Sequence, residues 1–234
     1  MKKELYRASF ILALIVIFVS VSPVAMAGTI GNPTASVEQG SFLVGAEIDF
    51  WERDMEDEFG DEGEVEGTKI LVKGTYGVSD TIDVFGKIGM AGCEFLLAGF
   101  PIETDMDIAI GIGGKVNVYD QGQTKVGVVA QILLWSGDDT VLGTNVEIDA
   151  TEFDLAFGGS YKVSEEFNCY GGLMYSMVSG EITISGVGSL DIDESDSIGI
   201  FIGGEFAVSP QSKVGLELRL MSETSFTLMA SFAF

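Results

Sequence analysis

The sequence predicts an all-β fold, an antiparallel transmembrane up-and-down β-barrel of ten strands (eight as the alternative) after a cleaved signal peptide. Three observations predict it. The first 27 residues have the layout of an export signal. The rest of the chain alternates apolar and polar residues with a period of two, which is typical of strands. The connections between these segments alternate between short turns and long polar stretches, as in membrane barrels.

The N-terminal segment comes first in the chain. Three basic residues lie within its first seven positions, an apolar run covers 10–19, and Ala25-Met26-Ala27 forms a small-residue cleavage site before Gly28. An uncleaved membrane helix is the alternative, but Ser20, Ser22 and Pro23 leave only about ten unbroken apolar residues, too few for a span. We therefore expect a signal peptide at 1–27, a short N-terminal lead at 28–40 and a barrel at 41–234.

The charge balance limits the partners of the chain. It holds 12 basic and 36 acidic residues, a net charge of −24, and loss of the signal peptide would remove three bases and one acid to give −26. Such a chain repels nucleic acid and attracts cations. The 31 glycines, four prolines and 47% hydrophobic content argue against a disordered protein, although an acidic soluble protein remains compatible with them.

The chain contains no histidine. This removes the commonest general base, every Ser–His or Cys–His nucleophile pair and the imidazole metal ligand. Catalysis by paired carboxylates stays conceivable, but no pair of acids stands out. We expect no enzyme, no cofactor and no metal site.

The strands follow in order, each about ten residues long. An aromatic-x-Val-Ser pattern precedes three of the short turns, at 76–79, 161–164 and 206–209, which supports a regular spacing of strands. Short turns are predicted near 79–80, 120–124, 164–166 and 209–212, a tight hairpin at 221–224, and long loops at 51–68, 91–104, 135–151 and 178–197. The predicted strands are 42–50, 69–78, 81–90, 105–118, 125–134, 152–163, 167–177, 198–208, 213–220 and 225–234.

The two faces of these strands differ completely in charge. One phase, which begins with Phe42 and Val44 and ends with Phe232 and Phe234, holds no charged residue in any strand. The opposite phase holds eight acids and eight bases. They are Glu47, Asp49, Asp83, Asp107, Glu152, Asp154, Glu205 and Glu217, with Lys69, Lys73, Lys87, Lys115, Lys125, Lys162, Lys213 and Arg219.

Period-two alternation alone does not say which face meets water. In a soluble barrel the apolar phase fills the core, whereas in a membrane barrel it faces lipid. Strand length near ten residues suits a tilted membrane span. The uncharged phase, the acidic excess in the loops, the alternation of short and long connections and the even strand count also favour the membrane. A soluble periplasmic binding barrel, which would be extracted without detergent, is the alternative.

The chain resembles the small outer-membrane β-barrel family, the OmpA/OmpX-like barrel domain of Gram-negative bacteria. The most specific part of the resemblance is the C-terminal strand, where Phe226, Leu228, Phe232 and terminal Phe234 are similar to the signal that the barrel-assembly machinery recognises. The resemblance implies residence in the outer membrane, contact with its lipid, and the assembly machinery as a partner during biogenesis. It departs from the best-known small members in strand number, ten against eight.

The charged lumen allows two functional hypotheses. The charges pair and fill a narrow interior, which leaves a structural or surface-interaction role. Alternatively they line a narrow cation-favouring passive channel, porin-like, with acidic loops that concentrate cations at its mouth. An enzyme is disfavoured, because ten-stranded outer-membrane proteases and outer-membrane lipases depend on a histidine and this chain has none.

The first long loop invites a calcium hypothesis. Nine carboxylates lie within 52–66, but the sixth position from Asp54 is Phe59, where an EF-hand needs glycine. A solvated loop is therefore expected, with loose binding of divalent cations or lipopolysaccharide at the acidic loops as the alternative.

Two further sets of side chains carry expectations. Cys93 and Cys169 lie near opposite barrel ends in the predicted topology, too far apart for a disulfide, so two free thiols are predicted. Five aromatic residues at strand ends are predicted to form interfacial girdles. They are Tyr76, Tyr119, Tyr161, Trp51 and Trp135.

Overall fold

The computed structural model describes residues 29–234 except 59, 61, 98–99 and 142, and the predicted signal peptide lies outside the described residues. Within the described part of the chain, no helix is long and apolar enough to cross a membrane. The described residues form twelve strands: β1 (Phe42–Asp57), β2 (Glu62–Ser79), β3 (Ile82–Leu97), β4 (Phe100–Glu103), β5 (Asp107–Gln121), β6 (Thr124–Val141), β7 (Thr144–Lys162), β8 (Phe167–Ile184), β9 (Gly188–Glu194), β10 (Ile198–Ala207), β11 (Ser212–Leu220) and β12 (Thr224–Ala233).

Ten of these strands close into an antiparallel ring. The hydrogen-bonded order runs β10-β11-β12-β1-β2-β3-β5-β6-β7-β8, and β8 pairs back with β10 from Ile198↔Tyr175 to Phe206↔Phe167. Strand β4 pairs with β3, and β9 bridges β8 and β1, at one end of the ring. The predicted antiparallel ten-stranded barrel is confirmed, and the eight-stranded alternative is wrong.

Most of the predicted long loops are strand, so the loop prediction at 51–68, 91–104, 135–151 and 178–197 is wrong. β1 continues to Asp57 and β7 already begins at Thr144. The alternation of period two continues through these segments, but the apolar residues change phase. In β1, Phe50 faces outward, whereas beyond it Glu52 and Asp54 take the outer side and Trp51 lies inside. A high acid content is compatible with a strand whose outer face meets water.

The phase change divides the barrel into two tiers. The lower tier comprises 42–50, 68–78, 82–92, 106–118, 124–134, 152–163, 167–177, 198–208, 212–220 and 225–234, where the outward side chains are apolar or uncharged. These are the membrane-spanning segments. The upper tier comprises 51–57, 62–67, 93–97, 100–103, 135–141, 144–151, 178–184 and 188–194. Seven residues of strand, as in 51–57, extend the wall by about 23 Å along the strand.

The upper tier has an inside-out polarity relative to the lower one. Its interior is an apolar core, while its exterior is acidic. Burying that apolar surface stabilises the tier by about 25 cal/mol per Å², as in a soluble protein. The buried core in this tier is made of Trp51, Met55, Val65, Cys93, Phe95, Ile102, Trp135, Val146, Ile148, Ala150, Val178, Ile182 and Ile192. It continues into the lower tier through Leu71, Ala91, Ala109 and Leu133.

Candidate functional site: the filled lumen and the acidic upper tier

The lower third of the lumen is occupied by the chain's own residues 29–40, called here the lumen segment. The segment precedes β1 and turns back into the barrel from the short-turn end, where Gly40 N–H donates to the Gly77 carbonyl at 2.8 Å. Thr29 and Ile30 are fully buried among wall residues. The sequence predicts only a short lead at 28–40, because nothing in its composition indicates where a segment without regular structure will lie.

The middle of the lumen holds a buried network of opposite charges. Arg53 lies 3.2 Å from Glu194 and 3.8 Å from Glu152, and it also contacts Glu223. Arg219 reaches the same Glu223 at 2.8 Å. Each arginine thus faces several carboxylates in a place where an unpaired charge would be strongly destabilising.

Further pairs extend this network through the lumen. Arg219 lies 3.5 Å from Asp49 and 3.7 Å from Glu217. Below it, Glu47 binds both Lys73 at 3.3 Å and Lys87 at 3.1 Å. The charges of these pairs are therefore partners of one another, as expected where the surroundings offer little solvation.

An aromatic pair of the apolar core, Trp51 and Trp135, contacts the charge network. The Lys69 ammonium pairs with Glu152 and lies 5.0 Å from the Trp51 ring centroid and 5.8 Å from that of Trp135. The Trp135 indole N–H donates to Glu152 Oε1 at 2.8 Å. The girdle prediction is wrong for both tryptophans, because they occupy the inward phase and are 2% and 5% exposed.

The structure places most of the predicted lumen charges inside the barrel. Glu205 is half-buried, whereas Asp107 and Lys162 are exposed, Asp107 at the top of the lower tier and Lys162 at the short-turn end beside Glu165. The buried residues of the predicted set are Glu47, Asp49, Lys69, Lys73, Asp83, Lys87, Lys115, Glu152, Asp154, Glu217 and Arg219.

Sequence reasoning missed three members of the network. Arg53 and Glu194 fall in segments predicted as loops, and Glu223 falls in the predicted tight hairpin, yet all three side chains are buried. A signal for Arg53 was available, because it shares the phase of Glu47 and Asp49 along β1. No comparable signal exists for Glu223, whose position depends on how the last turn folds over the lumen.

Glu194 lies in the upper tier, and its environment changes its proton affinity. Burial raises the pKa of this carboxyl to about 7, with Arg53 opposing the shift and Glu223 adding to it. A group whose folded pKa lies above its ordinary value favours the folded state most at low pH. The contribution of Glu194 to stability therefore falls as the pH rises from about 4.5 to about 7.

Both cysteines are free thiols, as predicted. Cys93 is buried in the upper tier, where its Sγ lies 3.8 Å from the Thr104 hydroxyl. Burial raises the pKa of the Cys93 thiol to about 12, which suppresses the reactive thiolate. Neither cysteine constrains the fold covalently.

The outer face of the upper tier carries carboxylates directly opposite one another on neighbouring strands. Like charges in direct cross-strand register are destabilising, and Arg53, the basic residue of these ranges, points inward. Partial burial raises the pKa of Glu52, with Glu64, Glu66 and Asp54 adding to the shift. The opposed pairs are Glu52–Glu66, Asp54–Glu64, Glu56–Glu62, Glu66–Glu94, Glu94–Glu103, Glu56–Asp193, Asp138–Glu147, Asp149–Glu181 and Glu181–Asp191.

The carboxylates of this acidic face are spread along the sheet. Among the described residues, no group of three or more His, Cys, Asp or Glu side chains is arranged to hold a metal ion. What the face provides is a continuous negative potential on a rigid sheet, which raises the local concentration of cations.

Comparison with solved structures finds the same fold at low sequence identity. The protease OmpT from Escherichia coli matches with 11% identity over 86% of this chain and 99% of that one, with a TM-score of 0.51. The translocator domain of autotransporter NalP from Neisseria meningitidis matches with 11% identity over 84% and 90%, with a TM-score of 0.50. OprG from Pseudomonas aeruginosa matches with 10% identity over 85% and 98%, with a TM-score of 0.41.

At these identities the matches to OmpT and to the NalP translocator domain establish the fold alone. A search of curated proteins finds no match. The model of the outer membrane protein beta-barrel domain matches residues 100–234, more than half of the chain. The lipid-facing lower tier, the closed antiparallel ring and this match together show that the chain belongs to the outer-membrane β-barrel domain family and resides in the outer membrane of Gram-negative bacteria.

Proposed function

We propose that the protein is a closed outer-membrane barrel with a structural or surface-interaction role, in which the acidic upper tier is the exposed face. The observation that carries this proposal is the filling of the lumen at three successive levels. The lumen segment lies at the bottom, the paired charges in the middle and the apolar core at the top. Short turns face the periplasm in such barrels, so the upper tier faces outward.

The three levels oppose conduction for different reasons. Moving an ion past the charge network means separating buried partners, which is expensive in a poorly solvated interior. The apolar side chains of the core cannot replace the hydration shell of an ion. A through-channel would require the displacement of all three levels. A passive narrow channel, porin-like, therefore ranks behind the closed barrel as the second candidate.

Planar-bilayer recording of the refolded, detergent-extracted protein tests closure. We expect no discrete conductance steps from barrels whose folding is verified by the shift in gel mobility on heating. An outer-membrane channel inserted in parallel serves as the positive control. Discrete, cation-preferring steps would overturn the closed-barrel proposal and establish the narrow channel.

For the surface role, we propose that divalent cations collect at the acidic face and bridge it to the phosphates of lipopolysaccharide. The support is the series of unrelieved carboxylate pairs, whose repulsion a diffuse cation layer would reduce. Mg²⁺ is then expected to raise the thermal midpoint of the barrel in lipopolysaccharide-containing vesicles. Part of the rise should disappear in the variant Asp54→Asn with Glu64→Gln. The matched control is Asp80→Asn with Glu165→Gln at the opposite end, and equal loss in both variants would contradict the proposal.

Export and assembly complete the proposal. We propose that residues 1–27 direct export and that Phe226, Leu228, Phe232 and Phe234 form the signal read by the barrel-assembly machinery. Phe234 is 75% exposed, stacks edge-on against Phe232 at 5.0 Å and is tied by its N–H to the Phe42 carbonyl. A chain without Phe234 should show a lower yield in the outer-membrane fraction, and an unchanged yield would reject this role. No catalytic activity is assigned, because the chain has no histidine.

A further inference from the structure

The lumen segment is held as a bound peptide would be, mainly through its main chain. Ala35 N–H donates to Asn117 Oδ1 at 2.7 Å, and Asn117 Nδ2 donates back to the Ala35 carbonyl at 3.1 Å. One carboxylate, that of Asp83, accepts from Ser36 N–H at 2.8 Å. These contacts hold a bent backbone, which turns at Gly31 with a φ of +69° and at Asn32, whose Oδ1 accepts from Thr34 N–H. The wall therefore binds backbone groups of the segment whatever its side chains are.

The deeper end of the segment is clamped in the same way. Ile30 N–H donates to Glu217 Oε1 at 3.0 Å, and Lys87 Nζ donates to the Thr29 carbonyl at 2.9 Å. Lys115 Nζ donates to the Asn32 carbonyl. Hydrogen bonds to charged groups are stronger than those between neutral groups, so the wall binds the backbone of the segment firmly and in a defined direction.

One side chain of the segment acts as an anchor. Ile30 is fully buried in an apolar socket of the lumen wall. Without the segment this socket would stand as a hydrophobic patch inside an otherwise charged lumen. Its wall residues are Phe85, Val129, Ala156, Tyr170, Met174 and Phe201.

Two glycines of the wall make room for the segment. A Cβ at Gly127 would overlap the Pro33 carbonyl oxygen, and a Cβ at Gly77 would overlap the carbonyl oxygen of Glu38. Both glycines lie on the inward face of their strands, so the segment's backbone occupies the space of their missing side chains. The inner wall of the barrel therefore has room for the backbone of the lumen segment at these two glycines.

The space that the lumen segment occupies opens toward the short-turn end of the barrel. A basin of about 190 Å³ lies there between the segment and the rim, bordered by Lys125, Lys162 and Lys213. A cavity of about 60 Å³ runs beside Gly31 and Ser36, and Glu47 and Lys73 are among its wall residues. A space of this size with charged groups on its wall is large enough for water, which can solvate the segment's backbone when the segment leaves this site.

We propose that the lower lumen is a peptide-binding vestibule, open toward the periplasm, which the chain's own lumen segment fills. Its ligand class is a short peptide that takes the same bent backbone, with a branched aliphatic anchor followed by small residues. The vestibule ends blindly at the charge network, so it receives a peptide without becoming a channel. When its own segment is out, it accepts a peptide of the same chemistry in trans.

The test uses the full-length variant Ala35→Pro, which leaves the wall intact but removes the N–H that Asn117 accepts. The probe is a labelled synthetic peptide with the sequence of residues 29–40, TIGNPTASVEQG. We expect one-to-one binding to the variant, measured by fluorescence anisotropy, and at least tenfold weaker binding to the parent chain, whose vestibule is occupied. Hydrogen exchange of the amides of residues 30–37 reports independently whether the segment has left its seat.

Matched glycine variants locate the binding. Adding Gly127→Ala to Ala35→Pro should weaken the peptide at least tenfold, because the new Cβ occupies the seat. Adding Gly86→Ala should leave binding unchanged, because a Cβ there faces outward and meets only the Gly111 carbonyl oxygen at 3.8 Å. A probe peptide with proline in place of the alanine at position 35 should bind weakly to the Ala35→Pro variant. Its binding should be as weak as that of the original probe to the double variant with Gly127→Ala.

Several results would overturn the proposal. They are retained amide protection in Ala35→Pro, absence of peptide binding once protection is lost, and equal effects of the two glycine variants. If Ala35→Pro does not fold, Asn117→Ala replaces it, because it removes both partners of the Ala35 backbone from the wall side. That variant should speed exchange of the Ala35 amide about tenfold, and unchanged exchange would reject the vestibule.

Discussion

Replacing Arg53 with alanine is expected to lower the free energy of unfolding by about 3–5 kcal/mol. The guanidinium is buried and faces Glu152, Glu194 and Glu223 at once. Its removal leaves three carboxylates without their shared cation in an interior that solvates them poorly. The measurement is equilibrium unfolding in urea from lipid vesicles, followed by tryptophan fluorescence, since Trp51 lies directly beside Arg53.

The pH dependence of this loss distinguishes a charge effect from a packing effect. Without Arg53 the pKa of Glu194 rises above its value of about 7, because its main stabilising cation is gone. Protonation then relieves the repulsion, so the deficit of Arg53→Ala should be smallest below about pH 7 and grow toward pH 8 and above. Lys162→Ala is the control, because it removes an exposed ion pair that contributes about 0–1 kcal/mol. A deficit that does not vary with pH would contradict the network.

Replacing Ile112 with lysine is expected to destabilise the barrel by about 2–4 kcal/mol in a bilayer. Ile112 is 66% exposed on the lipid-facing side of β5, within the lower tier. A charged ammonium there would face hydrocarbon. Urea unfolding from vesicles measures the loss, and the same substitution measured in a detergent with a thin apolar belt should be milder.

Glu64→Lys is the matched change in the upper tier. Glu64 faces outward on β2 directly opposite Asp54, so the substitution turns a like-charge pair into an opposite pair. It should stabilise by about 0.2–1 kcal/mol, and less at high salt. If both lysines destabilised equally, the division into a lipid-facing and a water-facing tier would be wrong.

Much of the membrane-spanning half could be predicted from the sequence. Side chains on a strand alternate strictly between its two faces. The uncharged phase that begins at Phe42 therefore identifies the outer face of every ring strand, and the opposite phase, with charges from Glu47 onward, identifies the inner face. Ten strands and their antiparallel closure follow from the spacing of short turns. The free thiols follow from the same topology.

The upper tier could not be predicted by the same rule. The alternation persists beyond Trp51, but the apolar phase moves inside when water replaces lipid outside the wall. A rule that seeks one continuous apolar phase takes this change for the end of the strand. A search for period-two alternation regardless of phase finds Glu52, Asp54 and Glu56 on one side and Trp51 and Met55 on the other.

By itself the sequence determined that this chain forms a lipid-facing ring with charges inside, because strand periodicity is local and the membrane excludes charge from one face. Only the tertiary structure decided what fills that ring. The seat of residues 29–40, the meeting of Arg53 with Glu223 and Glu194, and the enclosed core around Trp51 join residues far apart in the chain. No local pattern encodes such contacts, because they form only when the ten strands close into a ring. That closure creates the inner wall against which the side chains and the lumen segment pack.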